Sequence, residues 1–250
     1  MDDREIIEEF YRASPDREKL VGEALTRLHA GEPCAYIIGE WYFWRYTFRI
    51  NRDCLIPRPD TERLVERALG LLPENAVFAD LCTGSGCIAL SLLGDRKDLR
   101  ARAYDISESA LSAARENAGL LGVKDRITFH PCDLMKEDPL GDEMFDAVIS
   151  NPPYVRSDVI PLYPSLSHEP RAALDGGNDG MDFYRRFIRT FAKNVKKGGY
   201  FLFEIGYDQG EDIKKLAEDH GFSCRVIKDY GNNDRVAEIR VDTDICGRKY

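Results

Sequence analysis

The chain has 250 residues, enough to bury the core of one large α/β domain with a small appendage but too few for two full domains. Hydrophobic residues at 43% and charged residues at 32% describe a soluble globular protein, not a disordered or membrane-embedded one. Lys and Arg number 35 against 44 Asp and Glu, and the net charge of -9 argues against tight, sequence-independent nucleic-acid binding, which depends on neutralising phosphates.

The opening MDDREIIEEFYRAS is acidic and lacks the apolar core of a signal peptide, and no apolar run reaches bilayer length, so a cytoplasmic location is expected. Asp2 to Ala13 and Asp16 to His29 both carry helical apolar spacing, interrupted by Ser14-Pro15 and stopped by Gly31-Glu32-Pro33. Phe10, Tyr11, Leu20, Leu25 and Leu28 read either as the core of this small helical unit or as a docking face. From Tyr36 to Ile50, YIIGEWYFWRYTFRI is dense in aromatic and β-branched residues and predicts a hairpin. The domain organisation expected is therefore a helical substrate-docking region over 1–33, a β-hairpin linker over 34–59 and the main domain over 60–250. The loop LIPRPDTE leads into a helix from about Thr61 to Leu72.

Beyond Pro73, short apolar runs alternate with amphipathic segments: VFADL, IALSLLG, RARAYDI, ESALSAARENAGLL, ITFHP and FDAVIS. This alternation predicts a mostly parallel sheet covered on both faces. An irregular stretch, Pro152 to Gly180, precedes a helix over about Met181 to Lys196, the strand GYFLFEIG and a helix starting near Gln209. FSCRVIKD and RVAEIRV, joined by the turn-rich YGNND, predict a closing antiparallel hairpin.

The first strand of the main domain runs into DLCTGSGCIAL, where Gly84 and Gly86 let backbone approach a ligand at a helix N-terminus. Asp105 ends the next strand, placed to accept hydrogen bonds from ribose hydroxyls. Gly84-x-Gly86-x-x-Ala89 with a downstream acid suits a dinucleotide as well as S-adenosylmethionine. Asp133, in HPCDLM, either accepts from an adenine amino group, with Leu134 packed on the ring, or caps the turn before Met135.

The stretch SNPPYV, Ser150 to Val155, closes a predicted central strand with an amide, two prolines and an aromatic ring. Asn151 offers a side-chain oxygen, and Pro152 a carbonyl with no competing N–H. Two such acceptors can hold a planar NH2 group with its nitrogen facing an electrophile, while Tyr154 packs on a flat substrate. Amide and base nitrogens are poor nucleophiles because the lone pair is delocalised. As such a nitrogen attacks a sulfonium methyl it becomes more positive, so acceptors aimed at its hydrogens bind the transition state more strongly than the ground state. A hydride-transfer enzyme has no use for this pair of acceptors, which favours the methyl donor. No metal is expected: His29, His130, His168 and His220 lack ligand spacing. Cys34, Cys54, Cys82, Cys87, Cys132, Cys224 and Cys246 include no C-x-x-C pair and suit reduced thiols.

AYIIGEWYFW, LIPRPDTERLVE, DLCTGSGCIAL, DISESAL, SNPPYV, HEPRAALDGGNDGMDFYR and EIGYDQG occur in this order between about Ala35 and Val241. In them the sequence resembles the HemK/PrmC family of protein-(glutamine) methyltransferases. The resemblance implies a class I S-adenosylmethionine-dependent, Rossmann-like methyltransferase fold. It also implies methylation of the glutamine amide in the Gly-Gly-Gln motif of class I peptide chain release factors. Cys82, Thr83, Gly84, Ser85 and Gly86 would then wrap the methionine part of the cofactor, Asp105 hold its ribose, Asp133 and Leu134 flank its adenine, and Asn151, Pro152, Pro153 and Tyr154 grip the substrate amide, with Asn151 also beside the cofactor. Leu55 to Glu62, with Arg58 between two prolines, resembles a family segment that helps close over the site, or is a rigid linker.

Two features depart from the family: the helical region ahead of the hairpin is shorter than usual, and Arg45 stands where glycine is common. A sister group that methylates a ribosomal-protein glutamine shares the glycine loop and NPPY, but LIPRPDTE and ALDGGNDG resemble the release-factor group. Nucleic-acid amine methyltransferases also use N-P-P-[YF] on flipped bases. The acidic balance and the lack of length for a target-recognition domain count against that reading, and intact Asp105 and Asn151 count against a noncatalytic binding protein.

Overall fold

The computed structural model describes residues 1–242; Cys246 lies outside them. Helix α1 (Asp3–Phe10) opens on a capping box in which the Glu5 amide donates to Asp2 and the Asp2 amide donates to the Glu5 carboxylate, each at 2.9 Å. After the Ser14-Pro15 break comes α2 (Arg17–His29). The next element differs from expectation: Cys34–Ile38 form a third helix, α3, where aromatic and β-branched density predicts strand. Pro33 starts it, and Gly39, at φ 74°, ends it in the left-handed region that favours glycine. Cys34 and Ile37 pack with Ile7 and Ala24 in a small core, and this packing outweighs β propensity. Tyr11, Leu25 and Leu28 join the same core, whereas Phe10 is exposed.

The hairpin itself is short, β1 (Glu40–Phe43) paired antiparallel with β2 (Tyr46–Arg49). Phe43 and Phe48 enter the main core. Its tip is fastened to Asp95, which accepts from Trp44 Nε1 at 2.9 Å and Tyr46 Oη at 2.8 Å and pairs with Arg45 at 3.3 Å. An arginine therefore fits at this turn because a carboxylate receives it.

The main domain runs α4 (Glu62–Leu71), β3 (Val77–Leu81), α5 (Cys87–Asp95), β4 (Arg100–Asp105), α6 (Glu108–Leu120), β5 (Ile127–Pro131) and β6 (Phe145–Ser150). A stretch of short 3-10 turns follows, then α7 (Asp182–Phe191), β7 (Val195–Glu204), α8 (Gly210–Asp219), β8 (Ser223–Lys228) and β9 (Asp234–Arg240). The helix expected to reach Lys196 stops at Phe191, since Val195 already pairs with Phe145.

The seven strands are ordered β5-β4-β3-β6-β7-β9-β8. β9 runs antiparallel to β7 and β8; the remaining neighbours are parallel. Side-chain alternation distributes the apolar residues over two cores. Phe78, Ala147, Ile149 and Leu202 face α4 and α5, while Ala79, Val148, Phe201 and Phe203 face α7 and α8. From β3 the chain steps outward through β4 to β5 and then returns to β6 on the other side of β3. Open α/β sheets bind ligands at the carboxyl ends of strands at such a switch point. Leu81 pairs with Ser150, so the glycine loop and Asn151 leave the sheet side by side.

Candidate active site

A cavity of about 500 Å³ opens over these strand ends. Cys82, Thr83, Gly84, Ser85, Asp105, Asp133, Leu134, Asn151 and Pro153 line it; Gly86, Pro152 and Tyr154 do not.

The two loop glycines do different work. Gly84 has φ 56°, and a Cβ there would meet no atom within 4 Å, so its backbone faces open space in the cavity. At Gly86, φ 81°, a Cβ would stand 2.8 Å from Leu90 Cδ1 and 3.2 Å from Ala114 Cβ, so glycine is required there by the packing of α5 and α6. Buried Asp80 holds the loop from behind, its Oδ2 accepting from Thr83 Oγ1 at 2.6 Å and the Ala89 amide at 3.3 Å. Burial pushes the Asp80 carboxyl up to about 7.

Asp105 accepts from the Gly84 amide at 2.8 Å through Oδ2 and from the Ser107 amide at 2.9 Å through Oδ1. Burial raises its pKa, against the pull of those backbone donors. Each carboxylate oxygen keeps a second lone pair, which fits the adjacent hydroxyls of a ribose. Asp133 makes the turn-capping bond: Met135 N donates to Oδ1 at 3.1 Å, and Lys136 pairs with Oδ2 at 2.7 Å, holding the carboxyl below its ordinary value.

The Asn151-Pro152-Pro153-Tyr154 segment is clamped by ALDGGNDG. Val155 N donates to Leu174 O at 2.9 Å and Gly176 N to Val155 O at 2.8 Å. A Cβ on Gly176 would lie 2.7 Å from both Pro153 O and Tyr154 Cα, and one on Gly180 would lie 2.4 Å from Tyr154 O. Both glycines exist because backbone passes against backbone. Gln209 Nε2 adds bonds to Tyr154 O at 3.2 Å and Gly180 O at 3.1 Å. Asn151 Nδ2 donates to Thr61 Oγ1 at 3.2 Å, which leaves Oδ1 as the amide atom that can accept from a substrate.

Above the cavity, Arg58 pairs with the carboxylate of Glu169, and Ile56 N donates to the same group at 3.2 Å. Pro57 and Arg58 on one loop and Pro170, Ala172 and Ala173 on the other thus line the cavity as a tied pair. Sequence reasoning gave no role to Thr61, Asp80, Glu204 or Gln209. The signal for Glu204 and Asp80 was a lone acid in an otherwise apolar strand; Thr61 and Gln209 act through tertiary hydrogen bonds that have no local signature.

Among the described residues, no group of three or more His, Cys, Asp or Glu is placed to hold a metal ion. No helix among them is long and apolar enough to cross a membrane.

A mostly parallel seven-stranded sheet, with a glycine loop and a strand-end acid at its switch point, defines a class I methyltransferase. The family model "Methyltransferase small domain" matches residues 62–163. The hMettl16 catalytic domain, solved with an RNA hairpin, has the same fold, with a TM-score of 0.65 at 16% identity over 79% of this chain and 76% of that one. A release factor glutamine methyltransferase of Caulobacter vibrioides is 39% identical over 93% of this chain and 82% of its own length. Its counterpart from Aquifex aeolicus is 35% identical over 93% of this chain and 79% of its own. The chain belongs to the release factor glutamine methyltransferase family.

Proposed function

We propose that the protein transfers the methyl group of S-adenosylmethionine to the side-chain amide nitrogen of the Gly-Gly-Gln glutamine in class I peptide chain release factors. The relatives' names support the substrate. The observation that carries the chemistry is the orientation of Asn151: its NH2 is engaged by Thr61, so its oxygen is the acceptor at the cavity. When bound, the cofactor would supply an electrophilic sulfonium methyl, leaving S-adenosylhomocysteine, and the methylated nitrogen would release one proton to solvent.

The chain's own residues bind and orient. Asp105 would accept from the ribose hydroxyls, and the exposed backbone of Gly84 would allow close approach of the methionine part. Leu134, apolar and lining the cavity, would lie against the adenine. Asn151 Oδ1 would accept from the glutamine NH2, a bond that strengthens as the nitrogen gains positive charge, whereas Pro152 does not line the cavity and takes no part in that contact. Tyr154 contributes by fixing this segment, its hydroxyl donating to Glu204 at 3.2 Å. The Arg58–Glu169 pair keeps both cavity loops in place. Residues 1–33 act as the docking region for the release factor, and the reaction belongs to the cytoplasm, where release factors work.

The test is incubation of the purified protein with labelled S-adenosylmethionine and, separately, an unmodified class I release factor, structured RNA and duplex DNA, followed by peptide mass spectrometry. A methyl on the Gly-Gly-Gln glutamine is expected. A methyl on nucleic acid alone would overturn the substrate.

A further inference from the structure

Glu204, the last residue of β7, is 1% exposed and does not line the cavity. Burying a carboxylate is costly unless it is paired. One oxygen accepts from Tyr154 Oη at 3.2 Å; the other, Oε2, has no hydrogen-bond partner among the described residues. Burial raises the acid, and the Thr61 hydroxyl is the strongest of the groups that favour its charged form, ahead of Arg235 and Tyr154. Thr61 is thus a neighbour of Glu204 whose hydroxyl favours the charged carboxylate. Arg235, itself 8% exposed, has its own partners: Nη2 is 3.1 Å from Asp229 Oδ2 and 3.5 Å from Asp60 Oδ2.

Thr61 is 2% exposed, and its oxygen accepts from Asn151 Nδ2. A hydroxyl has one proton, so it accepts from Asn151 cleanly only when that proton points elsewhere. The unpartnered Glu204 oxygen is the acceptor that draws it away. Were the proton instead turned toward Asn151, the amide would rotate by half a turn and present NH2, not oxygen, to the substrate. Two NH2 groups facing one another cannot hydrogen-bond.

We infer that Glu204 is a positioning residue for methyl transfer: through Thr61 it sets which face of the Asn151 amide meets the substrate nitrogen, and through Tyr154 it anchors the segment carrying that amide. This rests on the amide-methylation reading above. Glu204 contacts no reacting atom, and its effect passes through one hydroxyl and one phenol.

Glu204→Gln separates the role from simple packing. Glutamine keeps the shape and still accepts from Tyr154, but its NH2 donates to Thr61, and the displaced hydroxyl proton turns to Asn151. Arg235 keeps Asp229, so the fold survives, and an uncharged amide costs less to bury than a carboxylate with an unpartnered oxygen. With a release factor as substrate, kcat should fall by about 100-fold. KM for the release factor and the cofactor Kd by equilibrium titration should stay within about twofold, with Tm unchanged or higher. Thr61→Ser, which retains the hydroxyl, should recover most of the turnover that Thr61→Val loses, a result that keeps the inference testable if Glu204→Gln does not fold. Wild-type turnover in Glu204→Gln, or equal turnover in the two Thr61 variants, would overturn it. Wild-type protein that binds cofactor but leaves the release factor unmethylated would instead overturn the reading beneath it.

Discussion

Gly176→Ala tests whether the Asn-Pro-Pro-Tyr segment is held by backbone contact. The new Cβ would sit 2.7 Å from Pro153 O and Tyr154 Cα, and ordinary contact begins near 3.4 Å, so one of the two strands must yield by 0.7 Å. Neither side can do so cheaply, because Gly176 N and Val155 O are already joined at 2.8 Å. Overpacking of this kind costs about 1–3 kcal/mol. For a chain of this size that lowers Tm by ~2–4 °C per kcal/mol. A displacement approaching 1 Å at a reacting group costs up to about 100-fold in rate. The expected variant is folded, melts several degrees lower, binds S-adenosylmethionine as the wild type does and methylates a release factor ~10- to 100-fold more slowly. Calorimetry, cofactor titration and single-turnover methylation measure the three quantities. Gly119→Ala on the exposed face of α6, where a Cβ meets nothing within 4 Å, is the control and should be stabilised by up to ~1 kcal/mol. Wild-type turnover and melting in Gly176→Ala would show that the glycine pair does not press on the segment.

Asp80, pushed up to about 7 from an ordinary 3.8, binds a proton in the folded state that the unfolded chain has already lost, so its contribution to stability is present below pH 3.8 and falls as pH rises towards 7. Asp80→Asn should remove a slope of ~1.4 kcal/mol per pH unit over that window; urea unfolding of both proteins at pH 5 and pH 8 measures it, and an unchanged difference between them refutes the assignment. Asp105→Ala should weaken cofactor binding ~10- to 100-fold through lost charge-assisted bonds, while unchanged affinity in a titration would remove it from the ribose site. Asn151→Ala should abolish methyl transfer and leave cofactor affinity within about twofold; near-normal turnover would end its role as acceptor.

The main sheet was legible because VFADL and FDAVIS are buried on both faces and read as continuous apolar runs, bounded by a glycine loop and by prolines. Gly84, Asp105 and Asn151 were legible as strand-end residues, and the structure gathers them around one cavity. What separates Gly84 from Gly86 was not, since it depends on Ala114 of α6, twenty-eight residues further along the chain from Gly86. Helix α3 was misread as strand because Tyr36 and Ile37 carry β propensity, whereas Pro33 and Gly39, both helix-boundary residues, carried the correct signal. YGNND revealed the closing hairpin but not which of its strands would dock, because turn chemistry fixes pairing within a hairpin and says nothing about its outer neighbour.

That docking has a consequence for how the chain is made. β9 enters between β7 and β8, so the edge of β7 away from β6 stays open until α8, β8 and the hairpin turn have all been synthesised. The segment left waiting, FLFE, carries three large apolar side chains and is wholly buried once paired. An unpaired apolar edge is a template for pairing with another chain. The vulnerable species in biosynthesis is therefore a chain that has reached β8 but not β9, and substitutions in β9 that slow its insertion should reduce soluble yield more than their effect on the folded protein's stability would suggest.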